Sequence, residues 1–306
     1  MYRHKNGEKW RSVVGGMEKY INTIMESIVI YYIIMDHSTP PAQAQAQAQA
    51  TPPDPTTKVV IPKDTVMRLL KDIRGVMTDP TLDECGIIYR HSETDMLTGY
   101  ACIVGPSDTL YFGGYYFFAF KFPTNYPHSP PIVSYLTNTR NIRFHPNFYT
   151  NKKVCVSIVN TWRGEQWSGC QNIRSVLMTF QSLLDKEPLL HEPGIRKEHS
   201  DFAPYHTMVE YYNYKFACLT LLNELTTYVC IESTLVPEFQ EFMFRHFQEN
   251  KSRIREILVE RMKKFPERKP MTIGLYGCIT TAISYDTILE HYDATVAALD
   301  AKKGKQ

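Results

Sequence analysis

Between residues 86 and 137 four strand-like runs follow one another through connections that leave room for little but reversal. The runs are Gly86 to Arg90, Gly99 to Val104, Tyr115 to Phe122 and Ile132 to Thr137. The links, Ser92 to Asp95, Gly105-Pro106-Ser107-Asp108 and Pro123 to Pro131, are full of turn residues. A parallel crossover needs a dozen or more residues, so short links force antiparallel neighbours and a four-stranded meander. A helix precedes the sheet. Asp64 or Thr65 can cap it, and Val66, Leu69, Leu70, Ile73 and Met77 form one apolar stripe until Asp79-Pro80 stops it.

Helical spacing dominates the rest. Ile173, Val176, Leu177, Phe180, Leu183 and Leu184 recur at that period up to Pro188, and a further helical region spans about Ala203 to Leu225. Phe239, Phe242, Met243, Phe247, Ile254, Ile257, Leu258 and Met262 continue it to Pro266, and Tyr285, Ile288, Leu289, Tyr292, Val296 and Leu299 mark a last helix. Stripes at this spacing usually mean core, so the aromatic stripe of the tail is expected to pack inward. Helix, antiparallel strands, then helices is an α+β order.

The expected organisation has four parts. Residues 1–39 form an N-terminal arm, residues 40–57 a Pro/Ala/Gln-rich linker, residues 58–230 the main domain and residues 231–306 an α-helical C-terminal extension. The alternation Ala42-Gln43 through Ala50, flanked by prolines, has no core-forming side chains and reads as a spacer. Within the arm, Tyr20 to Met35 is apolar, but its unbroken run, Ile28 to Met35, covers only eight residues. A spanning helix needs about 20, so a membrane is not an expected partner.

Composition narrows the function classes. A formal net charge of +2 on 306 residues makes no case for nucleic acid or an anionic surface. Seven scattered cysteines, with no Cys-x-x-Cys and no secretory signal of the usual form, suggest reduced thiols in cytoplasm or nucleus and no zinc framework.

One of those cysteines stands apart. Cys155 lies eight residues after Asn147, in His145-Pro146-Asn147-Phe148-Tyr149-Thr150-Asn151-Lys152-Lys153-Val154-Cys155. It follows a polar, turn-rich loop instead of sitting in an apolar stripe, as Cys102 and Cys218 do. A thiol with a carboxamide donor is what thioester chemistry needs: a sulfur that takes and releases an acyl group, and a donor for the oxyanion. Pro146 sets the backbone before Asn147, and His145 can brace the loop by hydrogen bonds instead of shuttling protons. A cysteine protease is the competing reading, but no acid or amide is identifiable as the orienter of His145.

The run Gly105-Pro106-Ser107-Asp108-Thr109-Leu110-Tyr111-Phe112-Gly113-Gly114, then Phe122-Pro123-Thr124-Asn125-Tyr126-Pro127-His128-Ser129-Pro130-Pro131, then His145-Pro146-Asn147, Cys155 and Trp167-Ser168, resembles the ubiquitin-conjugating enzymes in order and spacing. The likeness covers roughly residues 60–225. Phe144 to Tyr149, Cys155-Val156-Ser157-Ile158, Thr161-Trp162 and His191-Glu192-Pro193-Gly194 look most like the large, extended FAT-ten-type subfamily.

The resemblance implies a ubiquitin-conjugating-like fold and a two-step acyl carrier. Cys155 would accept ubiquitin or a ubiquitin-like modifier from an activating enzyme and pass it to a lysine of a protein substrate, usually with a ligase. No metal or cofactor is implied, since ATP is consumed by the activating enzyme. Asn147 would serve the oxyanion or the loop, and Glu192 would orient the lysine, with Glu187 and Asp185 as less favoured substitutes. His128, Trp167, Ser168 and Gly169 match the family's ligase-binding edge. The alternative is a non-catalytic member that holds ubiquitin or a ligase; such members typically lack the cysteine. Three residues depart from the family pattern. Lys152 stands where many members have glycine, Gly169 replaces a proline, and His128 replaces an aromatic residue. The last two lie at the family's ligase-binding edge, away from the thioester residues.

Overall fold

A computed structural model of the protein describes residues 60–139 and 141–303. The expected arm, with Tyr20 to Met35, and the linker lie outside the described residues. Four strands form one antiparallel sheet in the order β1-β2-β3-β4: β1 Ile87–His91, β2 Thr98–Val104, β3 Tyr115–Lys121 and β4 Ile132–Tyr135. The register pairs Ile88 with Cys102, Cys102 with Phe117 and Phe118 with Tyr135. This is the expected meander, and the α+β order holds.

Helix α1, Lys63–Met77, starts earlier than a cap at Asp64 or Thr65 would allow. Pro62 occupies the capping position without a side-chain bond, which leaves Asp64 in the first turn, where its charge suits the helix dipole. Thr65 instead donates to the Thr124 carbonyl at 2.8 Å. A one-turn helix, α2 Pro80–Glu84, leads into β1, and α3, Ile173–Leu183, opens on a reciprocal cap between Asn172 and Ser175. Phe118 and Phe120 of β3 meet Phe180 of α3, at 4.8 and 6.5 Å between ring centroids.

Alternate residues of β3 point the other way, as the strand period requires. Phe117 meets Phe239 at 5.4 Å, and the Tyr115 hydroxyl donates to the Met243 carbonyl at 2.7 Å. Both partners lie on α6, Val236–Lys264. Phe239, Phe242, Met243 and Phe247 are all buried, so the aromatic stripe of the tail covers the second face of the sheet. Before it, α4, Phe202–Tyr212, runs through a wider-wound segment, Asn213–Thr220, into α5, Leu221–Tyr228. Asn213 is buried between the Tyr116 hydroxyl and the Phe112 carbonyl, at 2.6 and 3.0 Å. Gly114 faces it so closely that a Cβ there would lie 2.0 Å from Asn213 Oδ1.

The tail is not wholly helical. Residues between Pro266 and Tyr285 form an antiparallel hairpin, β5 Lys269–Ile273 and β6 Ile279–Ile283, before α7, Tyr285–Lys303. Its strands are too short for periodicity alone to reveal, and Ile273 and Ile283 become buried only against the rest of the chain. Among the described residues no helix is long and apolar enough to cross a membrane.

Candidate active site

The segment carrying the cysteine is laid against the edge strand β4. Tyr135 N–H donates to the Lys152 carbonyl at 2.8 Å, and Ser134 bridges Lys153. A tight turn over residues 149–153 returns the chain, closed by Lys152 N–H to the Tyr149 carbonyl at 3.0 Å. Lys152 takes a left-handed φ of 72°, where a side chain is disfavoured and glycine is not.

Past that turn the two arms zip together. Phe148 bridges Val154, and Cys155 N–H donates to the Asn147 carbonyl at 2.9 Å. Asn147 Nδ2 returns the bond to the Cys155 carbonyl at 2.5 Å, while Asn147 Oδ1 is buried with no protein partner among the described residues. The carboxamide is therefore committed to the main chain of the cysteine.

His145 is completely buried, and its Nδ1 accepts the Asn147 N–H at 3.0 Å. An accepting Nδ1 puts the ring proton on Nε2. Burial, reinforced by neighbouring His191 and Arg143, holds the imidazole well below its usual range, so it stays neutral. It braces the turn and carries no charge near neutral pH. Arg143 is a second brace that sequence reading missed. Its guanidinium lies over the Tyr149 ring at 3.6 Å and the Tyr276 ring at 4.5 Å and donates to the Pro146 carbonyl. Tyr205 and Tyr111 anchor the approach, donating to the carbonyls of Arg143 and Phe144 at 2.8 and 2.7 Å.

Cys155 is 4% exposed, buried like its neighbours Val154 and Val156. A loop covers the thiol: Sγ donates to the Thr161 carbonyl at 3.1 Å. Thr161 Oγ1 is held by both backbone groups of Val156, at 2.8 and 3.0 Å. Residues 160–166 of the loop are exposed, with Trp162 at 47%. Cys102 and Cys218 are different: both lie fully in the core, where burial pushes their thiols up, that of Cys218 to about 12.

Three acids follow α3. Asp185 pairs with His191 Nε2 at 2.8 Å, and Glu187 with Lys197 at 2.5 Å. Glu192, half-buried, takes instead a neutral donor, the Tyr276 hydroxyl at 2.7 Å from Oε2. The expected ligase edge is assembled as one surface. Trp167 is buried and its Nε1 donates to the Pro127 carbonyl at 2.8 Å, which brings exposed His128 beside exposed Ser168 and Gly169. Arg68 of α1 ties down the far side, donating to the Gly169 and Gln171 carbonyls at 2.7 and 2.6 Å. Among the described residues no group of three or more His, Cys, Asp or Glu side chains could hold a metal ion.

The family model for ubiquitin-conjugating enzymes matches residues 68–212 of this chain. The chain is also 36% identical over 181 residues to "Ubiquitin-conjugating enzyme E2 Z" of Xenopus tropicalis, covering 58% of this chain and 57% of that one. Residues 68–212 of the chain thus carry the likeness to the ubiquitin-conjugating enzyme family. Its conjugating-enzyme likeness extends to the human E2 Z protein, 42% identical over 134 residues, which cover 44% of this chain and 37% of the human one. These relatives match the extended FAT-ten-type subfamily. The chain thus matches little more than half of the frog relative's length, and less of the human one. A solved structure described as a putative ubiquitin conjugating enzyme from Plasmodium yoelii is 21% identical, with a TM-score of 0.41, over 52% of this chain and 99% of that one.

Proposed function

We propose that this chain is a catalytically active ubiquitin-conjugating enzyme, carrying ubiquitin or a ubiquitin-like modifier on Cys155. In the first step the Cys155 sulfur attacks the modifier's C-terminal carbonyl, and the activating enzyme's thiol leaves. In the second, a substrate lysine nitrogen attacks the Cys155 thioester, the tetrahedral oxyanion collapses, and Cys155 is expelled as an amide forms. The lysine loses its proton in the process. Glu192 orients the amine, and Asn147 serves the oxyanion directly or through the loop. ATP is consumed upstream by the activating enzyme, and no cofactor is needed on this chain.

One observation carries this reading: of the three buried thiols, Cys155 is the one whose carbonyl takes the Asn147 carboxamide and whose Sγ is turned to the carbonyl of an exposed loop. The surface of His128, Trp167, Ser168 and Gly169 is the proposed ligase contact, and the free cysteines suit cytoplasm or nucleus. Residues 58–230 are the proposed conjugating domain, with 231–306 as its extension. A second reading, a non-catalytic binding member, is favoured by the Thr161 carbonyl lying over the thiol. Loading requires that loop to shift.

The test mixes the protein with ubiquitin, ATP and activating enzymes of both the common and the alternative branch. An adduct removed by thiol reductant is expected, and Cys155→Ser converts it to a reductant-resistant ester or abolishes it. A reducible adduct persisting in that variant moves the acceptor elsewhere. No adduct with any activating enzyme favours the binding reading.

A further inference from the structure

The C-terminal hairpin reaches back to the acid and to the brace of the asparagine turn at once. Tyr276, in the turn between β5 and β6, donates its hydroxyl to Glu192 Oε2 at 2.7 Å, and its ring lies 4.5 Å from the Arg143 guanidinium. Arg143 is sandwiched between that ring and Tyr149, and it donates to the Pro146 carbonyl. We propose that Tyr276 is a positioning residue for aminolysis, its hydroxyl aiming Glu192 and its ring clamping Arg143 against the His145-Pro146-Asn147 turn. This rests on the conjugating reaction proposed above.

The turn is built to hold Tyr276 there. Tyr276 and Cys278 both take left-handed φ values, 61° and 58°, on either side of Gly277 at 102°. That region disfavours any residue with a Cβ, so the surroundings must hold the conformation. Asp201, almost buried at the start of α4, does so: its Oδ2 accepts the N–H groups of Gly274 and Leu275 at 2.9 and 2.8 Å. Tyr205, on the same helix, packs edge-on against Tyr276 at 6.0 Å.

The chemistry fits an aiming role. Burial, and then the adjoining Glu192 carboxylate, push the Tyr276 phenol well above its usual range, so it remains a donor. It takes one carboxylate oxygen and leaves Oε1 for a second donor, the incoming amine. The neighbouring acids Asp185 and Glu187 pair with His191 and Lys197 instead.

The experiment preloads the full chain with ubiquitin on Cys155, stops the activating enzyme, and follows single-turnover discharge to free lysine and, separately, to hydroxylamine. Hydroxylamine is already unprotonated at neutral pH and needs no carboxylate to prepare it. Tyr276→Phe keeps the ring and removes only the hydroxyl. Loading should match wild type, the melting temperature should fall by no more than a few degrees, lysine discharge should fall roughly tenfold, and hydroxylamine discharge should be unchanged. The double variant with Glu192→Gln should be no slower than Glu192→Gln alone. Tyr276→Ala, which also frees Arg143, should slow both nucleophiles.

Wild-type lysine discharge in Tyr276→Phe overturns the inference while leaving the conjugating reaction intact. So does equal slowing of both nucleophiles by Tyr276→Phe, or additivity of Tyr276→Phe with Glu192→Gln. If the wild-type chain forms no thioester, the parent reading falls, and this one with it.

Discussion

Around Cys155 the polar groups are paired within the chain, apart from Asn147 Oδ1 and His145 Nε2. Asn147 donates to the Cys155 carbonyl, His145 accepts the Asn147 N–H, and the thiol itself points at Thr161. Asn147→Ala removes a part-buried bond worth about 1 kcal/mol, so the melting temperature should drop by a few degrees. Lysine discharge should fall by more than loading does. Equal discharge in the variant removes Asn147 from the mechanism, and gross unfolding makes it structural. The pairing of Asn147 with Cys155 was legible in the sequence because its spacing is local. Arg143 was not: a lone arginine carries no pattern, and its partners Tyr149 and Tyr276 lie 6 and 133 residues away.

Among the elements, α1 and the turn after Trp167 are coupled through one side chain. Arg68, also paired with Asp72 at 2.9 Å, reaches carbonyls 101 and 103 residues away. Arg68→Ala should cost on the order of 1–2 kcal/mol and speed amide hydrogen exchange over residues 168–171, with Cys155 loading unchanged. Unaltered exchange there would mean that Trp167 and its bond to Pro127 suffice. Helix periodicity found α1, α3, α6 and α7, since each exposes one face and buries the other. It passed over β5 and β6, whose five-residue strands alternate only briefly. That hairpin carries Tyr276, and so its hydrogen bond to Glu192 was invisible in the sequence.

For the whole molecule, the sheet is sealed on both faces, by α1 and α3 on one side and by α6 on the other. Charge pairs fasten α6 across it: Arg90 to Glu238, Arg245 to Asp83, and Arg253 to Asp108 at 2.8 Å. Sealing buries histidines as well. Burial, the larger cause in each, holds His91 and His246 down to about 4 and His145 well below its usual range. An unfolded histidine titrates near 6.5, so below that pH the unfolded chain binds protons that the native chain refuses. Stability should therefore fall as pH drops from about 6.5 toward 4, where His91 and His246 begin to titrate in the folded state. Melting curves at pH 7.5 and 5 should show the lower midpoint at pH 5; equal midpoints would contradict this.

Short-range pattern was enough to write the meander, the amphipathic helices and the asparagine–cysteine turn, because each depends on neighbours within a few residues or on a fixed strand or helix period. Tertiary structure alone decided that the tail's aromatic stripe seals the sheet and that a loop carbonyl covers the thiol. It alone brought Tyr276 to Glu192. Such contacts join residues far apart in the chain, and nothing in the local spacing of either partner encodes the other.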